Sequence, residues 1–128
     1  MKGFNKEDSS ILGFVIYCEG IAITFNEFKE YLYFVIKNNS IDDLPNFIWD
    51  LIDLEEENKL HIYNVIGFAT SDNFTKGEIM AMYGIGIKRF GEIYDMPISK
   101  KAALKALDQH PSILKRFKET FPFIKIED

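Results

Sequence analysis

Apolar residues recur along this chain at three- and four-residue spacings, the period of helices that bury one face. The clearest stripe is Phe25, Phe28, Tyr31, Leu32, Val35 and Ile36. Thr24-Phe25-Asn26-Glu27 sets a capping box ahead of it, in which a hydroxyl and a carboxylate satisfy first-turn amides. The stripe stops at Asn38-Asn39-Ser40, residues that favour turns. Upstream, Ile11 to Tyr17 fits a helix with a buried face, with a short strand turning at Glu19-Gly20 as the alternative.

Residues 42 to 57, DDLPNFIWDLIDLEEE, hold seven acids, no base and the only tryptophan. Pro45 suits a helical first turn with Asp42 or Asp43 as cap. At about 100° per residue, a helix here gathers Leu44, Phe47, Ile48, Leu51 and Leu54 on one side, with Ile52 near its edge. Asp43, Asp50, Asp53 and Glu57 take the other side, and Trp49 lands roughly 150° from the centre of the apolar stripe. A large aromatic set among carboxylates is the composition of an anchor for a basic partner. The expected partner-binding set is Asp43, Trp49, Asp50, Asp53, Glu56 and Glu57. The competing reading is a solvated face.

Leu60 to Ala69, LHIYNVIGFA, fits a buried strand or a buried helix equally well. Thr75-Lys76-Gly77-Glu78 is a second capping box. It opens a helical pattern through Ile79, Tyr83, Ile87, Phe90 and Tyr94, with Gly77, Gly84 and Gly91 spaced by seven. Stripes of small residues admit a second backbone at close range, yet each glycine costs a helix about 1 kcal/mol relative to alanine. A break near Gly84 to Gly86 is therefore the other reading. Ser99 caps KKAALKALDQ, and Pro111 opens the final helix, SILKRFKETF. The expected fold is mainly α, a compact helical bundle forming a single domain over residues 1–128. Its alternative is α+β with a small sheet from residues 11–23 and 60–69. Phe47, Leu51, Phe90, Ile113 and Phe117 are expected in the core.

The chain has 128 residues, enough to bury roughly two thirds of its unfolded surface without metals or disulfides. At 47% hydrophobic and 15% aromatic it is not a disordered chain. The net charge of −5 is unevenly spread: residues 1–75 hold 5 bases and 13 acids, residues 76–128 hold 10 bases and 7 acids. Such polarity bears on the sign of a partner and on association rate, not on fold. The lone Cys18, inside ILGFVIYC, reads as a small buried hydrophobe. The amino terminus superficially resembles a signal peptide, but Glu7 and Asp8 spoil its basic region and Glu19 ends the apolar run. No apolar run reaches the eighteen or so residues of a membrane span. A cytoplasmic location without membrane contact is the expectation.

Catalytic and cofactor patterns find little support. Gly84-Ile85-Gly86-Ile87-Lys88-Arg89 starts like a dinucleotide fingerprint but has Arg89 where the third glycine belongs. His61 and His110 lie 49 residues apart with no completing ligands nearby, so no metal or other cofactor is expected. Consecutive Glu55, Glu56 and Glu57 point in different directions, unlike a hydrolase pair. Ser9, Ser10, Ser71 and Ser99 lack a nucleophile elbow. An enzyme is not expected, although one of undetected class stays open because triads assemble in space. The main rival to protein binding is a helix-turn-helix unit in FTKGEIMAMYGIGIKRFGEIY, with a turn at Gly84-Ile85 and Lys88 and Arg89 on the second helix. Met80 is bulky where such units need a small residue, and two bases on an acidic chain bind phosphates poorly, which argues against nucleic acid.

The segments PNFIWDLIDL (45–54) and HPSILKRFKETFPF (110–123), with the size and acidity, resemble small bacterial immunity proteins. These are the cognate inhibitors of contact-dependent growth-inhibition and other polymorphic toxins. The resemblance is one of type and carries no diagnostic motif. It implies a cytoplasmic protein that binds a cognate toxin domain of basic, nuclease type and blocks its active site or substrate surface.

Overall fold

A computed structural model describes residues 1–70 and 73–126. Among these residues the protein is mainly α, with seven helices and no strand. The alternative sheet from residues 11–23 and 60–69 does not form; the β-type pairing among the described residues is an isolated bridge between Glu19 and Ile23. The residues cluster into two compact units. One is Met1–Ile16 with Phe25–Asp72, the other Tyr17–Thr24 with Asn73–Asp128.

The first unit holds most of α1 (Ser10–Cys18), then α2 (Phe25–Asn38), α3 (Ile48–Asp53) and α4 (Ile62–Ile66). Helix α1 begins where the Asp8 carboxylate accepts from the Ser10 amide and hydroxyl at 3.1 and 2.7 Å. Of the stripe expected on α2, Phe25, Phe28, Tyr31, Leu32 and Val35 are buried and Ile36 is half-buried. Its end is chemical. The Asn38 and Asn39 side-chain amides each donate at 2.8 Å to the carbonyls of Phe34 and Val35, so last-turn acceptors are satisfied without another helical residue.

The single acidic helix expected over 42–57 is broken into a 3-10 turn at Ile41–Asp43, α3, and a 3-10 turn at Glu56–His61. Leu44 is extended (φ −71°, ψ 142°), the conformation that a following proline imposes on its predecessor. Leu54 is extended too (φ −65°, ψ 130°). That bend carries Glu55 to Glu57 off the C-terminus of α3, where carboxylates would oppose the helix dipole. The apolar side survives the break: Leu44, Ile48, Leu51 and Leu54 are buried. Phe47 is a correction, being half-buried on a cleft wall and not in the core. The run from Leu60 to Ala69 is also less buried than an unbroken apolar run suggests, with Ile66 inside and Leu60 90% exposed.

In the second unit the Cys18 carbonyl accepts from the amides of Ile21, Ala22 and Ile23, closing a tight turn. Then come α5 (Lys76–Phe90), α6 (Lys100–Gln109) and α7 (Pro111–Thr120). The Thr75–Glu78 capping box is fully made, at 3.1 and 2.9 Å. Ser99 accepts from Ala102 at 3.1 Å, and Pro111 opens α7.

Helix α5 runs unbroken through Gly84 and Gly86, so these residues form no helix-turn-helix turn. Their role is close approach. A Cβ at Gly84 would stand 2.5 Å from the Ala103 carbonyl oxygen and 2.8 Å from Leu107 Cβ, and one at Gly86 would meet the Ile21 carbonyl. The buried side of α5 is accordingly Ala81, Met82, Gly84, Ile85, Gly86 and Ile87; of the expected stripe Ile87 alone is buried, while Ile79 and Tyr83 are half-buried and Phe90 and Tyr94 exposed. Phe90 corrects the expected core as well. As the last residue of α5 it is 44% exposed, with the Arg89 guanidinium 4.7 Å from its ring. Leu51, Ile113 and Phe117 are buried as expected, and Phe117 packs on Phe121 at 4.9 Å.

Two stability measurements check this packing. Leu51→Ala should cost about 2 to 5 kcal/mol, because its fully enclosed site cannot collapse around the lost atoms; an unchanged melting temperature would contradict the burial of α3. Gly84→Ala should destabilise by about 1 to 3 kcal/mol through overpacking, reversing the gain of about 1 kcal/mol that helix propensity alone gives. A raised melting temperature would show that α6 does not approach α5 this closely.

Candidate functional site

Helix α3 turns Ile48 and Leu51 inward, so the two residues between them must face out. Trp49 is 46% exposed, and Asp50 and Asp53 are exposed beside it. Asp43 is held at the preceding turn by the Ser40 hydroxyl, which lies 2.9 Å from its carboxylate. Glu56 and Glu57 sit on the 3-10 turn that follows, both exposed. All six residues expected at the site therefore lie on the surface of the first unit, within one stretch of chain.

Sequence reasoning missed the apolar companions. Ile41 is 72% exposed and Leu60 is 90% exposed, and they bracket the acidic stretch, with Tyr63 partly exposed beyond. Leu60 was masked by its neighbours, because an apolar run reads as core. The signal that could have separated it is the charged and polar run Glu55 to Lys59 immediately before it.

Helix α3 is anchored from α2. The Lys29 ammonium donates to the Ile52 carbonyl in the last turn of α3, and its Nζ lies 5.5 Å from the Phe25 ring centroid. A cation at a helix C-terminus satisfies an orphan acceptor and complements the dipole. Burial holds this ammonium below the usual lysine range, while the carboxylates of Asp53 and Glu55 push back. Asp53 thus spends part of its field within the protein.

Glu55, which was not among the expected residues, controls Glu57. A hydrogen bond that the protonated Glu57 carboxyl donates to the Glu55 carboxylate, reinforced by like-charge repulsion, lifts Glu57 above the ordinary value of 4.5. The negative charge on this turn is therefore adjustable: a cation placed near the pair favours the ionised form and draws the proton off.

Beside Asp50 the first unit opens a cleft of about 490 Å³. Phe4, Pro45, Phe47, Ile66 and Phe68 line it, with Phe47 edge-on to Phe68 at 5.9 Å, and Lys6 and Asp50 stand among its polar groups.

Cys18 is enclosed and burial pushes its thiol pKa upward, the opposite of what a nucleophile needs. His61 is exposed, while His110 packs against Gly77 in the second unit. Among the described residues there is no group of three or more His, Cys, Asp and Glu able to hold a metal ion. No helix of the described residues is long and apolar enough to cross a membrane. No known protein family, curated protein or solved structure matches the chain.

The Glu55–Glu57 pair is open to direct test by side-chain NMR titration. Glu57 should titrate above 4.5 in the native chain and return toward that value in Glu55→Ala. The sign is that of repulsion: the pair disfavours the fold above the raised pKa of Glu57, and protonation on lowering pH relieves it. An unshifted Glu57 in the native chain would separate the two carboxyls.

Proposed function

We propose that this protein is an immunity-type inhibitor that binds and neutralises a cognate basic toxin domain through the acidic surface of residues 41–63. The observation that carries this reading is Trp49, nearly half exposed on a helix whose other outward residues are acids. Leaving a tryptophan in water forgoes a large apolar burial that a partner can recover. Ile41 and Leu60 extend the apolar area, and the surrounding carboxylates select a cation-rich partner. Complementary charge speeds encounter and opposes wrong partners, while the desolvated aromatic supplies affinity. The charge budget agrees: residues of the first unit include 5 bases and 12 acids, those of the second 10 bases and 8 acids. A cytoplasmic site of action fits a chain whose sole cysteine is buried and free.

The test is protection against the toxin encoded beside this gene. Trp49→Ala should weaken the complex by about 2 kcal/mol or more, as truncation of a central aromatic anchor does. Asp50→Lys with Glu56→Lys should abolish protection at unchanged melting temperature, with the loss at low salt appearing mainly as slower association. Asp53 and Glu57 are left native because Lys29 and Glu55 depend on them. Lys101→Glu with Lys105→Glu should leave protection intact. Complex formation should weaken as pH falls through the raised Glu57 range, because the bound cation prefers the ionised carboxylate. DNA binding at physiological salt that is lost with the lysine reversals and indifferent to the acidic ones would overturn the proposal.

A further inference from the structure

The second unit carries a groove of about 480 Å³ that the acidic surface does not explain. Its lining is Lys88 from α5, Leu107 and Asp108 from the last turn of α6, and Pro111, Leu114, Lys115 and Lys118 from α7. The sequence builds it in two steps. Bare Gly84 lets α6 settle against α5, placing Leu107 beside the turn that precedes Lys88. His110 alone then separates α6 from α7, so α7 returns at once along the same edge. Pro111, Leu114, Lys115 and Lys118 are the i, i+3, i+4 and i+7 positions of α7, which share one face of a helix.

That face is graded. Its first turn offers Pro111 and Leu114 next to buried Leu107, and its later turns offer Lys115 and half-buried Lys118, with Lys88 contributed across the groove. Among the described residues neither Lys88 nor Lys115 has an ion pair. The lone carboxylate of the lining, Asp108, lies at the apolar end, in the turn just before Pro111. An anion is therefore repelled from one end and drawn to the other, while the volume lies within the range of small-molecule sites, roughly 300 to 1,000 Å³.

We propose that this groove binds a small phosphomonoester whose apolar or aromatic body lies on Leu107, Pro111 and Leu114 and whose phosphate is held by Lys88, Lys115 and Lys118. The two ammoniums without an ion pair, Lys88 and Lys115, with Lys118 on the same face of α7, suit a dianion better than a single negative charge. The floor demands that the dianion be attached to something apolar.

Phenyl phosphate is the probe, followed by NMR on the full chain, with inorganic phosphate and phenol as its two halves. Phenyl phosphate should saturate with a Kd at least about tenfold below that of either half, because both ends of the groove contribute. The Leu107 and Leu114 methyls and the Lys88 and Lys115 side chains should shift together. Lys115→Gln with Lys118→Gln should raise the Kd about tenfold or more by removing charge. Leu114→Ser should raise it separately while leaving inorganic phosphate unaffected. Inorganic phosphate binding as well as phenyl phosphate would reduce the groove to diffuse surface charge and overturn the proposal. So would saturable shifts that avoid α7, or no saturation at all. None of these outcomes bears on the acidic surface, whose residues belong to the other unit.

Discussion

Helix α3 is six residues long, far below the twelve or more at which an isolated helix holds its shape in water. It exists because Ile48 and Leu51 are enclosed and because the Lys29 ammonium takes the Ile52 carbonyl. Everything about the acidic surface follows from that enforced register. With two positions committed inward, Trp49 and Asp50 have nowhere to point except into solvent. The exposure of the tryptophan is thus bound to the burial of its neighbours. Loss of the inward pair would release the outward pair from any fixed arrangement.

The two units carry opposite signs of charge, and each uses its charge differently. In the first, carboxylates surround exposed apolar groups, an arrangement that favours a large, cationic, partly apolar surface. In the second, ammoniums border a short apolar floor in an open groove of about 480 Å³. The contrast comes from backbone geometry more than from composition. A bend at Leu54 spreads the acids over an exposed turn, whereas Gly84 and the one-residue joint at His110 bring α5, α6 and α7 together around the groove.

What was legible in the sequence was local. The Thr75–Glu78 box, the Ser99 cap, Pro111 at the head of α7 and the asparagines ending α2 all act within four residues, so pattern and structure coincide. The α2 stripe was legible for the same reason. The acidic helix was misread in length because two competing effects were present but not weighed: proline acting on Leu44, and glutamates opposed to the dipole beyond Asp53. The close approach expected of the α5 glycines is realised at Gly84 and Gly86, and the buried face follows them instead of the larger side chains of the expected stripe, apart from Ile87. Leu60 and Phe90 were misplaced for a further reason. Hydropathy does not reveal which apolar side chain is left outside the core at the end of an element, and that depends on contacts far away in sequence.

The turn at residues 18–23 belongs with α5, yet the chain between them builds the other unit. The Arg89 guanidinium donates to the Ala22 carbonyl at 2.8 Å across 67 residues of sequence, and Gly86 lies against Ile21. On a ribosome this order has a temporal meaning. Residues 25–70, with their helices and acidic surface, emerge complete while the turn at 18–23 still waits for α5. Closing that long loop is the slow, entropically costly step. The acidic unit is therefore the natural early folder, and the lysine-lined unit the one that sets only after α5 to α7 have emerged.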